Sequence, residues 1–256
     1  MRAQTDEAAG LSAPDPGLAF PAGSAGPRRP FRSGALRGVA YGTTAPELVA
    51  ALPRWLAQGA VPSARVLKQA RVFLLGEWIV KFFPRASLFG HFRTSRAVRS
   101  AERHFECQPI PSPRPLVAAS AARGGPSLLV REYVRGQLLD EVWGRDAVAA
   151  TELAPFLAEM TRRRVLHGDL HPSNLLWDGK RWLLLDVDGV RHHLHSRRRV
   201  TTSMWARLQQ RLGDGPELRA LHARCRELVP GPQGGVPSWA DVERRARLLQ
   251  PGRSGR

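Results

Sequence analysis

Cysteine is nearly absent from this chain: Cys107 and Cys225 are the only two, and neither lies in a metal-type spacing. A disulfide-stapled or zinc-clipped fold is excluded, and free thiols in a reducing cytosol are the expectation. No run of about 18 apolar residues occurs, which rules out a membrane-spanning helix, and the N-terminus has no apolar signal-peptide core. The protein is expected to stay where it is made. Internal repeats are missing, as is any Gly-rich phosphate loop. The 256 residues still suffice to bury a core in one sizeable domain or two lobes.

Lysine is scarce as well, occurring only at Lys68, Lys81 and Lys180, while the formal net charge is +17 and almost wholly arginine. Such a charge calls for an anionic partner, and nucleic acid, anionic lipid and phosphorylated sugar all qualify. Composition does not choose among them. Where a chain this rich in arginine keeps a lysine on an apolar strand, a compact ammonium is wanted instead of a planar fork.

What is present falls into order along the chain. Residues 1–40, rich in Ala, Pro, Gly and Ser, read as a disordered tail. Leu48, Leu52 and Leu56 recur at helical spacing after Thr44, an acceptable N-cap. Strand-like runs follow at Val72–Leu75 and Trp78–Phe83 around a Gly76-Glu77 turn, with Lys81 in the second arm. Ser95 suits the cap of a helix through Phe105 that carries Glu102 and Glu106. The prolines from Pro109 to Pro115 force extended chain, and Leu116-Val117 and Leu128–Val130 flank a Gly124-Gly125-Pro126 turn.

Leu138 to Arg164 is helical in pattern, with Pro155 expected in the first turn of a second helix. A helix pair is expected over Thr201–Leu228, and a short helix near Trp239–Leu249. His192, His193 and His195 have no acid or cysteine in register and read as a solvated basic loop. The expected division is an N-lobe over 41–133, a C-lobe over 134–229, and a C-terminal helix with a basic tail over 230–256.

One stretch carries chemistry. His167-Gly168-Asp169-Leu170-His171-Pro172-Ser173-Asn174 is followed by a Trp-Asp-Gly-Lys turn and then Leu183-Leu184-Leu185-Asp186-Val187-Asp188-Gly189. Moving the γ-phosphoryl of ATP needs a carboxylate to orient the acceptor hydroxyl and oxygen ligands for magnesium. Asp169 suits the first role, and Asn174 and Asp186 the second. His-Gly-Asp and Asp-Gly are also ordinary turn sequences. Both halves in order, separated by a hairpin, match the kinase catalytic loop and metal-binding Asp.

With Lys81 added, the chain resembles the protein-kinase-like superfamily, and within it the bacterial lipopolysaccharide core kinases that phosphorylate Kdo or heptose. Supporting stretches are Val66-Leu67-Lys68, Ser95–Arg99, Ile110–Pro115, Asp186–Arg191 and the Arg-rich segment from Arg197 to Leu212. The resemblance implies an α+β bilobal kinase-like fold, with a small β-rich N-lobe, a mainly helical C-lobe, and ATP and magnesium between them. Asp169 would be the catalytic base, Asn174 and Asp186 the metal ligands, and Lys81 the phosphate-binding lysine. Glu102, or else Glu106, would hold Lys81, and the adenine-facing hinge would fall near Glu132, Tyr133 and Val134.

Gly168 replaces the arginine of H-R-D and no A-P-E follows, which points away from regulated protein kinases and towards the small-molecule and lipid-sugar branch. A tight turn from Lys68 to Val72 is the candidate substitute for the missing Gly-rich loop. The acceptor is expected to be a sugar or lipid-sugar, met at the cytoplasmic face of the inner membrane, where the basic surface would engage the anionic leaflet. A soluble aminoglycoside or choline acceptor is the alternative. A catalytically silent or nucleic-acid-binding module ranks third, since no aromatic-basic interleaving marks a stacking platform.

Overall fold

The computed structural model describes residues 28–42, 46–68, 71–84, 95–121, 125–191, 197–230 and 235–249. Apolar, strand-forming runs pair into a seven-stranded antiparallel sheet in the order β1-β2-β6-β7-β5-β4-β3. Its strands are β1 (Arg28–Ser33), β2 (Leu36–Tyr41), β3 (Arg65–Lys68), β4 (Val72–Leu75), β5 (Trp78–Phe83), β6 (Pro115–Ala121) and β7 (Ser127–Glu132).

Because side chains alternate across a strand, the sheet has two apolar faces. Val80 and Phe82 of β5 pack with Val117, Leu128 and Val130 and with Leu48, Leu52, Trp55 and Leu56 of helix α1 (Pro46–Gln58). Phe83, Ala118 and Leu129 meet Ala97, Val98 and Ala101 of helix α2 (Arg96–Glu106) on the other face. Lys81, two residues before Phe83, therefore shares the α2 face. Ser95 caps α2, its side chain accepting from the Val98 amide at 3.2 Å.

Two expectations need correcting here. Residues 28–41 are not tail: they form the β1–β2 hairpin, with Gly34 at φ 57° in its turn, and β2 pairs with β6. β1 is an exposed edge strand, so its sequence shows no apolar alternation, whereas β2 buries Leu36, Val39, Ala40 and Tyr41. Pro155 does not open a second helix either, but lies inside helix α4 (Ala147–Arg162), which Asp146 caps by accepting from the Ala149 amide at 2.9 Å. The cost of the proline is offset by burial of Leu153, Leu157 and Met160 on the same helix.

The second half of the chain is mainly helical. It comprises a short helix α3 (Leu139–Val142), α4, α5 (Arg197–Leu212), α6 (Pro216–Leu228) and α7 (Trp239–Leu249). Small strands complete it: β8 (Gln137–Leu138), β9 (Leu166–His167), β10 (Leu175–Trp177), β11 (Trp182–Leu184) and β12 (Val190–Arg191). The helix α7 is part of this core, since Val242 and Ala246 are buried in it and the Ala246 carbonyl accepts from Gln210 Nε2 at 2.9 Å. Among the described residues no helix is long and apolar enough to cross a membrane. The histidine cluster at 192–195 and the Thr44 cap lie outside the described residues.

Two buried histidines give the fold a pH dependence. His104 on α2 hydrogen-bonds Ser112 at 2.7 Å, and His222 on α6 sits edge-on between Trp205 and Trp239 with its Nε2 donating to the Pro237 carbonyl at 3.0 Å. Burial lowers both from 6.5 to about 4. Below 6.5 the unfolded chain takes up protons that the folded chain refuses, so stability is full above that pH and falls as pH drops towards 4. Between pH 7 and pH 5 each should cost about 2 kcal/mol. Chemical denaturation at the two pH values checks this, with His222→Gln expected to flatten the slope.

Candidate active site

The catalytic stretch is built as a series of tight connections on the α4 scaffold. β9 delivers His167 and pairs antiparallel with β12, so that His167 faces Val190. The loop then turns through a single 3-10 turn at Pro172–Asn174, where His171 Nδ1 accepts from the Ser173 amide at 3.3 Å. β10 and β11 form the hairpin that the Asp178-Gly179 pair dictates. Asp178 Oδ1 accepts from the Lys180 and Arg181 amides at 2.9 and 2.8 Å, and Gly179 takes φ 88°. The Trp182 indole donates to the Ala149 carbonyl at 2.8 Å and pins the hairpin to α4.

The hairpin returns the chain beside the loop it left. The Leu185 amide donates to the Asn174 carbonyl at 2.8 Å, and the next residue is Asp186. Asp186 starts a 3-10 turn (Val187–Gly189), its Oδ1 accepting from the Asp188 amide at 3.2 Å. His167 Nε2 donates to the Asp186 carbonyl at 2.6 Å. A Cβ at Gly189 would lie 2.5 Å from His167 Cε1, whereas one at Gly168 would meet nothing within 4 Å. Gly189→Ala is therefore expected to displace the His167 ring and cost about 1–3 kcal/mol together with activity, while Gly168→Ala is neutral. Thermal melts of the two variants side by side test this.

Lys81 reaches this turn from the sheet, its Nζ 3.2 and 3.3 Å from the Asp186 oxygens and 2.9 Å from Asp188 Oδ2. Two cations therefore face Asp186, the second being half-buried Arg131, whose Nη1 donates to the Leu185 carbonyl. Burial alone would raise the Asp186 pKa, but Lys81, Arg131 and the hydrogen bonds from Lys81 and Asp188 outweigh it and hold the carboxyl below its ordinary range. Asp186 is thus ionised at neutral pH.

The expected Lys81–Glu102 pair is not formed. Glu102 instead accepts from Arg28 of β1 at 2.7 Å, and Arg103 beside it donates to the Asp188 carbonyl. One residue along a helix rotates a side chain by about 100°, so α2 meets the catalytic turn through Arg103 and the hairpin through Glu102. The role assigned to a helix glutamate falls to Asp188, a residue sequence reasoning missed. Its spacing two residues after Asp186 was the available signal.

A cleft of about 860 Å³ is lined by Lys68, Arg71 and Val72, by Lys81, Asp186 and Asn174, and by Glu132, Tyr133 and Val134. The Tyr133 amide is engaged by the Glu77 carbonyl at 2.8 Å. Glu132 turns its carboxylate to the Arg114 amide at 2.8 Å. In the β3–β4 turn the Arg71 amide donates to the Lys68 carbonyl at 2.9 Å, while residues 69–70 lie outside the described set.

Asn174 gives its amide nitrogen to the Asp169 carbonyl at 3.3 Å, which leaves its amide oxygen for a cation. With the Asp186 carboxylate it forms a hard-oxygen pair of the kind magnesium takes alongside phosphates and water. Among the described residues no three His, Cys, Asp or Glu side chains gather into a protein-only metal site. Asp169 itself is 73% exposed, and Arg207 of α5 sets its Nε 3.2 Å from Asp169 Oδ1.

Comparison with known proteins agrees with this geometry. Residues 128–193 match the APH phosphotransferase enzyme family, a segment that runs from β7 through the catalytic loop to the Asp186 turn. Curated protein sequences give no match. Among solved structures, WaaP in complex with acyl carrier protein has 16% identity and a TM-score of 0.52, over 78% of this chain and 93% of that one. The GDP and kanamycin complex of APH(2")-IIia has 13% identity and a TM-score of 0.53, over 79% and 87%. The bifunctional kinase-methyltransferase WbdD matches at 16% identity and a TM-score of 0.43, and this chain spans 46% of its length. Over residues 128–193 the chain is thus similar to the APH phosphotransferase enzyme family, and it shares its fold with WaaP and APH(2")-IIia.

Proposed function

We propose that the chain transfers the γ-phosphoryl of ATP, with magnesium, to a sugar hydroxyl of lipopolysaccharide core, on Kdo or heptose. The observation that carries this is the convergence of Lys81, Asp186 and Asn174 on one cleft, with Asp169 exposed just outside it. Lys81 would hold the nucleotide phosphates, Asn174 and Asp186 the magnesium, and the chain near Glu132 and Val134 the adenine. In the transfer the acceptor oxygen forms the new bond to phosphorus, the bond from the γ-phosphorus to the ADP oxygen breaks, and the hydroxyl proton passes to Asp169.

The lobes would meet between Glu132, where β7 ends, and Gln137, where β8 begins, with the β1–β2 hairpin added to the N-lobe. The arginine-rich surface would hold the protein against an anionic leaflet. A soluble alcohol is the second acceptor class, supported by the APH match over 128–193.

Incubation with γ-labelled ATP, magnesium and deacylated core acceptors tests the proposal. Label is expected on the sugar, and lost in Asp169→Ala. Transfer only to aminoglycosides or choline would replace the acceptor class, and no transfer at all would overturn the activity.

A further inference from the structure

Arg207 reaches the catalytic loop from α5, and neither it nor Asp169 lines the nucleotide cleft. The pair therefore stands on the side of the loop where an acceptor hydroxyl must come to meet Asp169. The guanidinium is only partly used. Its Nε faces Asp169, its Nη1 reaches Gln210 Oε1 at 3.5 Å, the limit of a hydrogen bond, and Asp169 is its one charged partner among the described residues. The remaining donors of the planar fork can take a carboxylate or a phosphate through two parallel bonds.

The surroundings have the same polarity. The α5 segment contains five arginines and no acid. Arg211, one turn beyond Arg207, and Lys68 act on His171 against Asp169 and Asp140. His171 itself supplies no charge here: burial first and Arg211 second hold it towards the neutral form, and its Nδ1 accepts from the Ser173 amide.

We infer that the acceptor carries an anionic group, a carboxylate or a phosphate, beside the hydroxyl it presents, and that Arg207 binds this group and releases Asp169 as it does so. The inference rests on the phosphotransferase reading above. Arg207 and Asp169 are 37% and 73% exposed, and an ion pair so exposed adds little to stability and is readily exchanged. A neutral acceptor offers Arg207 no new partner, so Asp169 is still ion-paired when the hydroxyl arrives. A cationic acceptor must approach a guanidinium. Selection thus acts by attraction and by repulsion together.

Isothermal titration of the full chain with four probes tests the site: a Kdo methyl glycoside, its methyl ester, glucose phosphate and glucose. The two anions separate carboxylate from phosphate, and each has a neutral twin. At least one anion is expected to bind ~10-fold or more tightly than its twin. Arg207→Gln should erase that difference, Arg207→Lys should retain part of it, and Asp169→Asn, by freeing Arg207, should strengthen it several-fold. Equal binding of both twins by the wild type, or a preference that survives Arg207→Gln, overturns the inference. Binding is read without turnover, so it decides the anion site even if no probe is phosphorylated, an outcome that would count against the phosphotransferase reading alone. Phosphorylation of the anionic and neutral twins at equal kcat/KM would uphold phosphoryl transfer and overturn the anion site.

Discussion

An Asp186→Asn enzyme is expected to transfer phosphate ~10²–10³-fold more slowly than the wild type while remaining folded. The amide is nearly isosteric, and its oxygen can still accept from the Asp188 amide, so the 3-10 turn after it should persist. What disappears is the negative charge. Among the described carboxylates Lys81 keeps Asp188, Arg131 loses one of the two that act on it, and the hard-oxygen pair with Asn174 loses its charged member.

Magnesium activation should then require a higher concentration of the ion, and this separates the loss from simple unfolding. The cost in stability should be about 1 kcal/mol, because Lys81 still has a partner. It should vanish in acid: a depressed carboxyl contributes above its unfolded pKa, and the contribution is lost as pH falls through the lower folded value. A wild-type rate, or an unchanged magnesium curve, would remove Asp186 from the site.

The parts of the site that sequence reveals are the local ones. Asp169 and Asn174 are five residues apart on one loop, Asp178-Gly179 can only turn the chain back, and Asp186 follows an apolar strand, so their proximity is written into about twenty residues. Lys81 is visible through its place on an apolar strand and the rarity of lysine. Its partner is not.

The glutamate expected beside it, Glu102, answers to Arg28, and Arg28 lies in a segment that reads as tail because an edge strand of Arg, Pro and Ser has no apolar period. The partner of Glu102 thus sits on an element that leaves no periodic signal. Arg207, which meets Asp169 from 38 positions further on, had no local signal beyond a basic helix. Pairings set by the packing of separate elements are not periodic and leave no mark in a single sequence.

Asp169→Asn should also reduce kcat, by ~10²–10⁴-fold, but through a different channel. Asp169 does not line the nucleotide cleft, so ATP affinity and the magnesium requirement should stay at wild-type values, unlike those of Asp186→Asn. Nor should stability suffer, since among the described residues the ion pair lost is the exposed one to Arg207. The asparagine keeps a carbonyl to orient the hydroxyl but cannot receive its proton, so the loss should fall on the chemical step. Single-turnover transfer from labelled ATP, measured beside equilibrium ATP binding, resolves the two effects. If both variants weakened ATP binding equally, Asp169 would belong to the nucleotide site and the acceptor would have to enter elsewhere. A kcat loss in Asp169→Asn with unchanged ATP affinity would place the reacting hydroxyl between Asp169 and the phosphate end of the cleft, within reach of Arg207.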